Sequence, residues 1–303
     1  MGGFVDHVQL LPMPYVAGRR QPDGAQRPGG LGMATLADRL AARGWTARIE
    51  DFSYDKPMSE ARLVEAFARG LGDGVLSARD RQRFPIVLSR ASVAAVGVAD
   101  ALGPDTGIVW VSPAADYRTP GWLRRPPVDR TALALVTGRA SRDRMAVAPR
   151  QVPAAQVILV GGTASAPDEA RAFAADGGRT VPPASLDQLT EAIAATSVRQ
   201  WYLHLDVTAL AAAAAPAADP LPDGDPTTAD AGGEPAGLDP DALAAAIRAA
   251  FPPDALAAVT LARYDLNRDP AGVTAATLVA LLEATLLAAG GVPSSTTDDV
   301  TAR

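Results

Sequence analysis

The sequence predicts a three-layer α/β/α fold built on a mostly parallel central sheet. Three features lead there. Short runs such as Pro85–Leu88, Gly107–Val111 and Gln156–Val160 are apolar at nearly every position, as strands buried on both faces must be. Stretches with helical spacing lie between them, and regular strand and helix alternation implies parallel strands covered on both sides. The 303 residues suffice for one large domain with a substantial core. A single domain over residues 1–289 is therefore expected.

The opening strand, His7–Leu11, leads into a Pro/Gly-rich loop and a helix over Met33–Arg43 that stops near Gly44, a residue suited to helix ends. Strand Thr46–Glu50 and helix Ser59–Leu76 follow. Strands Pro85–Leu88 and Gly107–Val111 each run into a loop beyond a carboxyl end, where open α/β sheets keep their chemistry. Arg130–Val136 reads as helix and Gln156–Val160 as strand. Ala166-Pro167-Asp168-Glu169 then forms a first helical turn, with Pro and acidic residues where an N-terminus favours them. The intervening Gly161-Gly162 lacks both the dinucleotide fingerprint and the P-loop lysine, which argues against a nucleotide site. Helix Ser185–Ala195 precedes strand Gln200–Asp206. Residues 209–238 are rich in Ala, Pro, Asp and Gly; such a segment buries too little apolar surface to offset its ordering entropy, so a mobile loop is expected. Helix Asp239–Ala250, strand Ala257–Ala262 and helix Thr274–Ala289 complete the pattern, and residues 290–303 read as a disordered polar tail.

Composition removes several classes of function. A net charge of −6 with only one lysine, Lys56, and scattered arginines does not make a nucleic-acid surface, because phosphate neutralisation needs clustered cations. The absence of cysteine excludes disulfides, thiolate metal sites and cysteine nucleophiles. No apolar run has the length of a membrane span, and the start MGGFVDHVQLLPMPY lacks a charged n-region and long apolar core. A cytoplasmic protein without membrane attachment is the expectation.

Four stretches carry a resemblance. They are Pro14-Tyr15-Val16-Ala17-Gly18, PIVLSRASV over residues 85–93, WVSPAAD over 110–116 and QWYLHLD over 200–206. In order and context they resemble the arginase, agmatinase and formiminoglutamase family, the ureohydrolases. That family has a P-Y-x-x-G opening turn, Pro-Leu-Val-Leu-Gly-Gly-Asp-His-Ser after one central strand and Trp-Val-Asp-Ala-His-x-Asp after the next. The resemblance spans about residues 5–289 and implies the arginase-like α/β fold.

It also implies where metal chemistry would sit. Members hold two Mn²⁺ through two histidines and four aspartates, and a bridging hydroxide attacks a guanidinium carbon. Here the first motif's histidine falls on Ser92. In the second motif the aspartate falls on Ser112 and the histidine on Ala114, while Asp116 is kept. In the third, Asp206 is kept and its partner falls on Thr208. Two of the family's six ligand positions thus hold carboxylates. A histidine that assists proton transfer falls near Asp129, and a glutamate that pairs with the substrate guanidinium falls near Arg263, which reverses the charge.

Histidine supply gives a check independent of any alignment, since the chain has only His7 and His204. His204 alternates with Asp206 on one strand face; it reads as a hydrogen-bonded imidazole inside the sheet rather than a metal ligand. A dinuclear manganese site is therefore not expected, and Asp116 and Asp206 leave room for one weakly held divalent cation at most. Another reading makes them carboxylates satisfied by arginine, with Arg90 or Arg263 supplying the cation.

Two functions follow from the resemblance. The first is a ureohydrolase-fold subunit without manganese catalysis that binds, regulates or assembles, as a homo-oligomer or with an active relative, and that takes a small molecule in the old cleft through Arg90, Ser92, Ser112, Thr208 and Arg263. The other is a repurposed hydrolase of a C–N bond, with a mononuclear or metal-free site at Asp116 and Asp206 and with Asp129 as a further candidate. A third reading, an unrelated doubly wound α/β binding protein, would not share the ordered set of motifs.

Overall fold

A computed structural model describes residues 6–13, 33–50, 60–119, 128–140, 151–219, 237–265 and 268–294, without the side chains of 60, 61, 63, 128 and 129. Its eight strands are β1 (His7–Met13), β2 (Thr46–Ile49), β3 (Phe84–Ser89), β4 (Thr106–Ser112), β5 (Val157–Gly161), β6 (Arg179–Val181), β7 (Gln200–Asp206) and β8 (Leu256–Ala262). They form one sheet in the order β2-β1-β3-β8-β7-β4-β5-β6. Every pairing is parallel, so the sheet expected to be mostly parallel is wholly so.

Among the described residues eight α-helices flank it: α1 (Met33–Ala41), α2 (Glu60–Asp80), α3 (Ala94–Leu102), α4 (Ala132–Val136), α5 (Pro167–Ala175), α6 (Gln188–Ala194), α7 (Pro240–Ala250) and α8 (Val273–Ala288). Alternation along the strands divides the core in two. Val8, Leu10, Ile86, Val109 and Leu203 face one side with α1, α6, α7 and α8; Leu11, Val87, Trp110 and Tyr202 face the other with α2, α3 and α4. No helix among the described residues is long and apolar enough to cross a membrane.

Several features stand outside the pattern expected from the sequence. Helix α3 has no amphipathic stripe: residues Ala94–Ala99 are all buried, so the usual helical signal is absent. Strand β6 is three residues long with only Val181 buried, too short to stand out. The 209–238 stretch was expected to be mobile, yet its flanks are packed. Ala209, Leu210, Ala215, Ala217 and Leu238 are buried, and Leu210 bridges Leu238. Small side chains let this backbone lie close against the sheet. The expected disordered tail begins with ordered residues too: the Ser294 amide donates to the Gly44 carbonyl at 2.9 Å. The Pro14–Gly18 turn and residues 220–236 and 295–303 lie outside the described residues.

The strand order matters for function. Consecutive strands β3 and β4 are separated in the sheet by β8 and β7. That brings four carboxyl ends side by side, the situation in which open α/β sheets bind ligands. Register aligns them: Ser89 pairs with Ala262, Ala262 with Asp206, and Ser112 with Gly161. One row below, Val87, Thr260, His204 and Trp110 stand side by side.

Candidate functional site

Asp206 ends β7 and caps the 3-10 turn Val207–Ala209. Its Oδ1 accepts hydrogen bonds from the Thr208 backbone N–H at 2.9 Å and the Thr208 hydroxyl at 2.6 Å. Its Oδ2 accepts from the Ser112 hydroxyl at 3.4 Å and lies 3.3 Å from Arg263 Nε. Asp116 follows β4 with φ 50°, and its carbonyl accepts from the Leu133 and Ala134 amides of α4 at 3.1 and 3.2 Å. Its carboxylate lies 3.8 Å from Arg263 Nη2 on one oxygen and 3.6 Å from Arg130 Nη1 on the other.

The result is a buried chain of alternating charge, Arg130–Asp116–Arg263–Asp206, in which no member exceeds 3% exposure. Charges this deep are tolerated only when paired. Here each carboxylate has a guanidinium at ion-pair distance. Arg263 has φ 61°, so two non-glycine residues in the left-handed region meet at one spot. Such backbone costs on the order of 1–3 kcal/mol per residue and gathers at functional sites. The loop after β8 holds Arg263 there: its amide donates to the Ser89 carbonyl at 2.8 Å, and its carbonyl accepts from the Asp219 amide at 2.7 Å.

Of the two arginines expected to grip these carboxylates, Arg263 does so and Arg90 does not. Arg90 turns outward from the end of β3. It donates to Asp219 through Nε and Nη2 at 3.1 and 2.7 Å and to Asp265 at 2.7 Å, clamping the segment before residue 220 to the loop after β8. Ser92 is fully buried just before α3, and its hydroxyl has no hydrogen-bond partner among the described residues. Ser112 and Thr208 serve Asp206 as above. The Asp129 side chain lies outside the described residues. Sequence reasoning missed Arg130, which has no motif of its own.

His204 is fully buried and stacks on Trp110 with centroids 3.7 Å apart and planes at 15°. The Tyr202 hydroxyl lies 2.7 Å from Thr260 Oγ1 and 3.3 Å from His204 Nδ1, and so bridges the two side chains. Burial, reinforced by the Arg263 charge, holds this imidazole well below its usual pKa. The unfolded chain takes up a proton near pH 6.5 where the folded protein does not, so stability rises with pH through that window and falls below it. The expected slope is about 1.4 kcal/mol per pH unit. Urea midpoints between pH 5 and 7 should show it in the native protein and lose it in His204→Gln; equal slopes would contradict the assignment.

Beside Asp206, a cleft of about 220 Å³ opens over the ends of β4, β5 and β7, lined by Ser112, Gly161, Thr163, Thr208, Leu210 and Leu238 among others. Gly161 and Gly162 have φ 105° and 68°, and a Cβ on Gly161 would come within 2.6 Å of the Ser112 carbonyl oxygen. The pair keeps this edge of the cleft narrow. Among the described residues no group of three or more His, Asp or Glu side chains converges as a metal site would require.

By sequence, neither a protein-family model nor a curated protein matches the chain. By structure it resembles arginase from Bacillus cereus, with TM-score 0.73 and 18% identity over 92% of this chain and 98% of that one. It likewise resembles arginase from Entamoeba histolytica in complex with L-ornithine, with TM-score 0.74 and 13% identity over 94% and 99%. Formimidoylglutamase from Bacillus subtilis superposes with TM-score 0.69 and 12% identity over 97% and 90%. Identities this low speak to architecture alone, and the architecture they share with the eight-stranded parallel sheet described above is the arginase-like α/β fold.

Proposed function

We propose that the chain is a member of the ureohydrolase family that has given up the dinuclear manganese centre and acts as a binding, regulatory or assembly subunit. The observation that carries this reading is the state of its two retained carboxylates: Asp116 and Asp206 each already lie at ion-pair distance from a buried guanidinium. A pair of Mn²⁺ ions needs a dense set of oxygen and imidazole donors. The residues present do not fit it. Ser92, Ser112 and Thr208 offer neutral hydroxyls, and His204 stacks on Trp110 one row below the strand ends. Two added dications would also meet two fixed arginine charges at short range.

The partner on this reading is another copy or an active relative, and the ligand is a small molecule in the cleft beside Ser112 and Thr208. That cleft also favours a second reading, a metal-free hydrolase of a C–N bond. Against it, the carboxylate that accepts from the Ser112 hydroxyl, Asp206, is already held by Thr208 and lies against the Arg263 guanidinium, which makes it a poor base for a serine nucleophile. Metal analysis of the purified protein, Mn²⁺ calorimetry and a urea-release assay with guanidino compounds test the first reading together. Expected are no stoichiometric manganese, no tight binding and no urea. Two ions per chain with urea release would overturn it.

A further inference from the structure

Resting on that reading, we infer that residues 209–219 form a latched strap: one end walls the cleft beside Asp206, the other is locked by Arg90, and release of the lock opens the cleft. At the cleft end, Ala209, Leu210 and Ala212 line the cavity together with Leu238. Two hydrogen bonds sew this end down, from the Ala211 amide to the Leu238 carbonyl at 2.9 Å and from the Leu238 amide to the Ala209 carbonyl at 2.8 Å. At the far end, Ala218 bridges Tyr264 of the loop after β8 in antiparallel fashion. There the Asp219 amide donates to the Arg263 carbonyl at 2.7 Å and the Asp265 amide to the Ala217 carbonyl at 3.2 Å. Between the ends the strap is a compact turn: the amides of Ala214 and Ala215 both donate to the Ala211 carbonyl, and that of Ala218 donates to the Ala215 carbonyl. A displacement at one end is therefore carried to the other.

The strap's own side chains give it little grip. Apart from Leu210, Pro216 and Asp219 every residue in it is alanine, and an alanine side chain buries little apolar surface. Neutral fastening comes from α8, where the Thr277 hydroxyl donates to the Ala214 carbonyl at 2.8 Å and Thr274 Oγ1 accepts from the Ala217 amide at 3.0 Å. Charged fastening falls to Asp219, the strap's one ionisable side chain. Arg90 donates to it through two nitrogens while also donating to Asp265, and Arg268 lies 3.8 Å from its other oxygen. The Arg90 and Asp219 side chains are 16% and 9% exposed, against 4% and 1% for Arg130 and Asp116. Dissolved salt therefore screens the latch far more than the buried pair.

Hydrogen exchange at single amides tests this. In Arg90→Gln the Asp219 and Asp265 amides should exchange about fivefold faster or more, the size expected for a bidentate pair within a small charge network. The Ala211 and Leu238 amides at the cleft should accelerate with them, while Leu203 in β7 stays as slow as in the native protein. Raising NaCl from about 0.1 M to about 1 M shortens the screening length from about 10 Å to about 3 Å. That change should speed the same four amides in the native protein and do so far less in the variant. Acceleration at Asp219 and Asp265 with Ala211 and Leu238 unchanged overturns the claim on the cleft; no acceleration, or an equal salt response in the two proteins, overturns the latch itself. The salt arm uses the native chain, so it decides even if Arg90→Gln does not fold. Manganese content is measured on the same native sample. Unresponsive amides in a manganese-free protein sink this inference alone, whereas two bound manganese ions with urea release sink the reading beneath it.

Discussion

Asp116→Asn is expected to destabilise the folded protein by about 3–5 kcal/mol, the usual cost of removing one partner from a buried ion pair. Asparagine keeps the volume and tolerates the left-handed backbone at φ 50°, so the change isolates charge. Arg130 and Arg263, each 3% exposed, then both face a neutral amide where a carboxylate stood. For a chain of this size the melting temperature should fall by roughly 10 °C. Arg130→Met in the Asp116→Asn background removes one of those two guanidiniums and should recover part of the loss, because Asp116 and Arg130 lie 3.6 Å apart and are expected to be coupled. Additive costs in the double variant, measured by urea denaturation with m unchanged, would show that Asp116 and Arg130 are not coupled.

Much of the frame that makes this coupling testable was legible in the sequence, and the physical reasons differ by element. Strand β7 matches its expected bounds of Gln200–Asp206: an apolar run closed by a capping aspartate leaves little choice of register. The alternation that puts His204 and Asp206 on one face follows from strand geometry alone. Helix α3 escaped because a helix buried all round has no polar face to announce it.

Arginine partners were harder to read. Arg263 and Arg90 both looked able to reach the retained aspartates, and only the direction of each backbone separates them. One of the two 2.7 Å partners of Arg90 is Asp219, which lies inside the stretch whose composition suggests a solvated loop. Low hydrophobicity argues against a core, but alanines such as Ala215 and Ala217 can pack closely once neighbouring elements exist to receive them. Arg130 carried no signal, since one more arginine in an arginine-rich chain is distinguishable only by where the fold puts it.

A second large effect is expected at Glu169, which positions the Asp116 loop from outside the charge chain. Its carboxylate, 1% exposed, accepts from the Tyr117 amide at 2.7 Å and the Ala166 amide at 3.3 Å, and pairs with buried Arg118 at 3.4 Å. Arg118 is two residues beyond Asp116. Helix α5 also grips that loop through the Tyr117 hydroxyl, which donates to Asp176 at 2.7 Å; burial pushes this phenol's pKa up to about 12. Glu169→Ala removes the acceptor of two amides and one carboxylate beside the buried Arg118, so a loss of about 3–5 kcal/mol is expected. Glu169→Gln keeps acceptors for the amides and should lose less. Urea denaturation of both variants reads the difference. An alanine variant with a urea midpoint close to the native protein would mean that β4 and α4, through the amides of Leu133 and Ala134, fix Asp116 without help from α5.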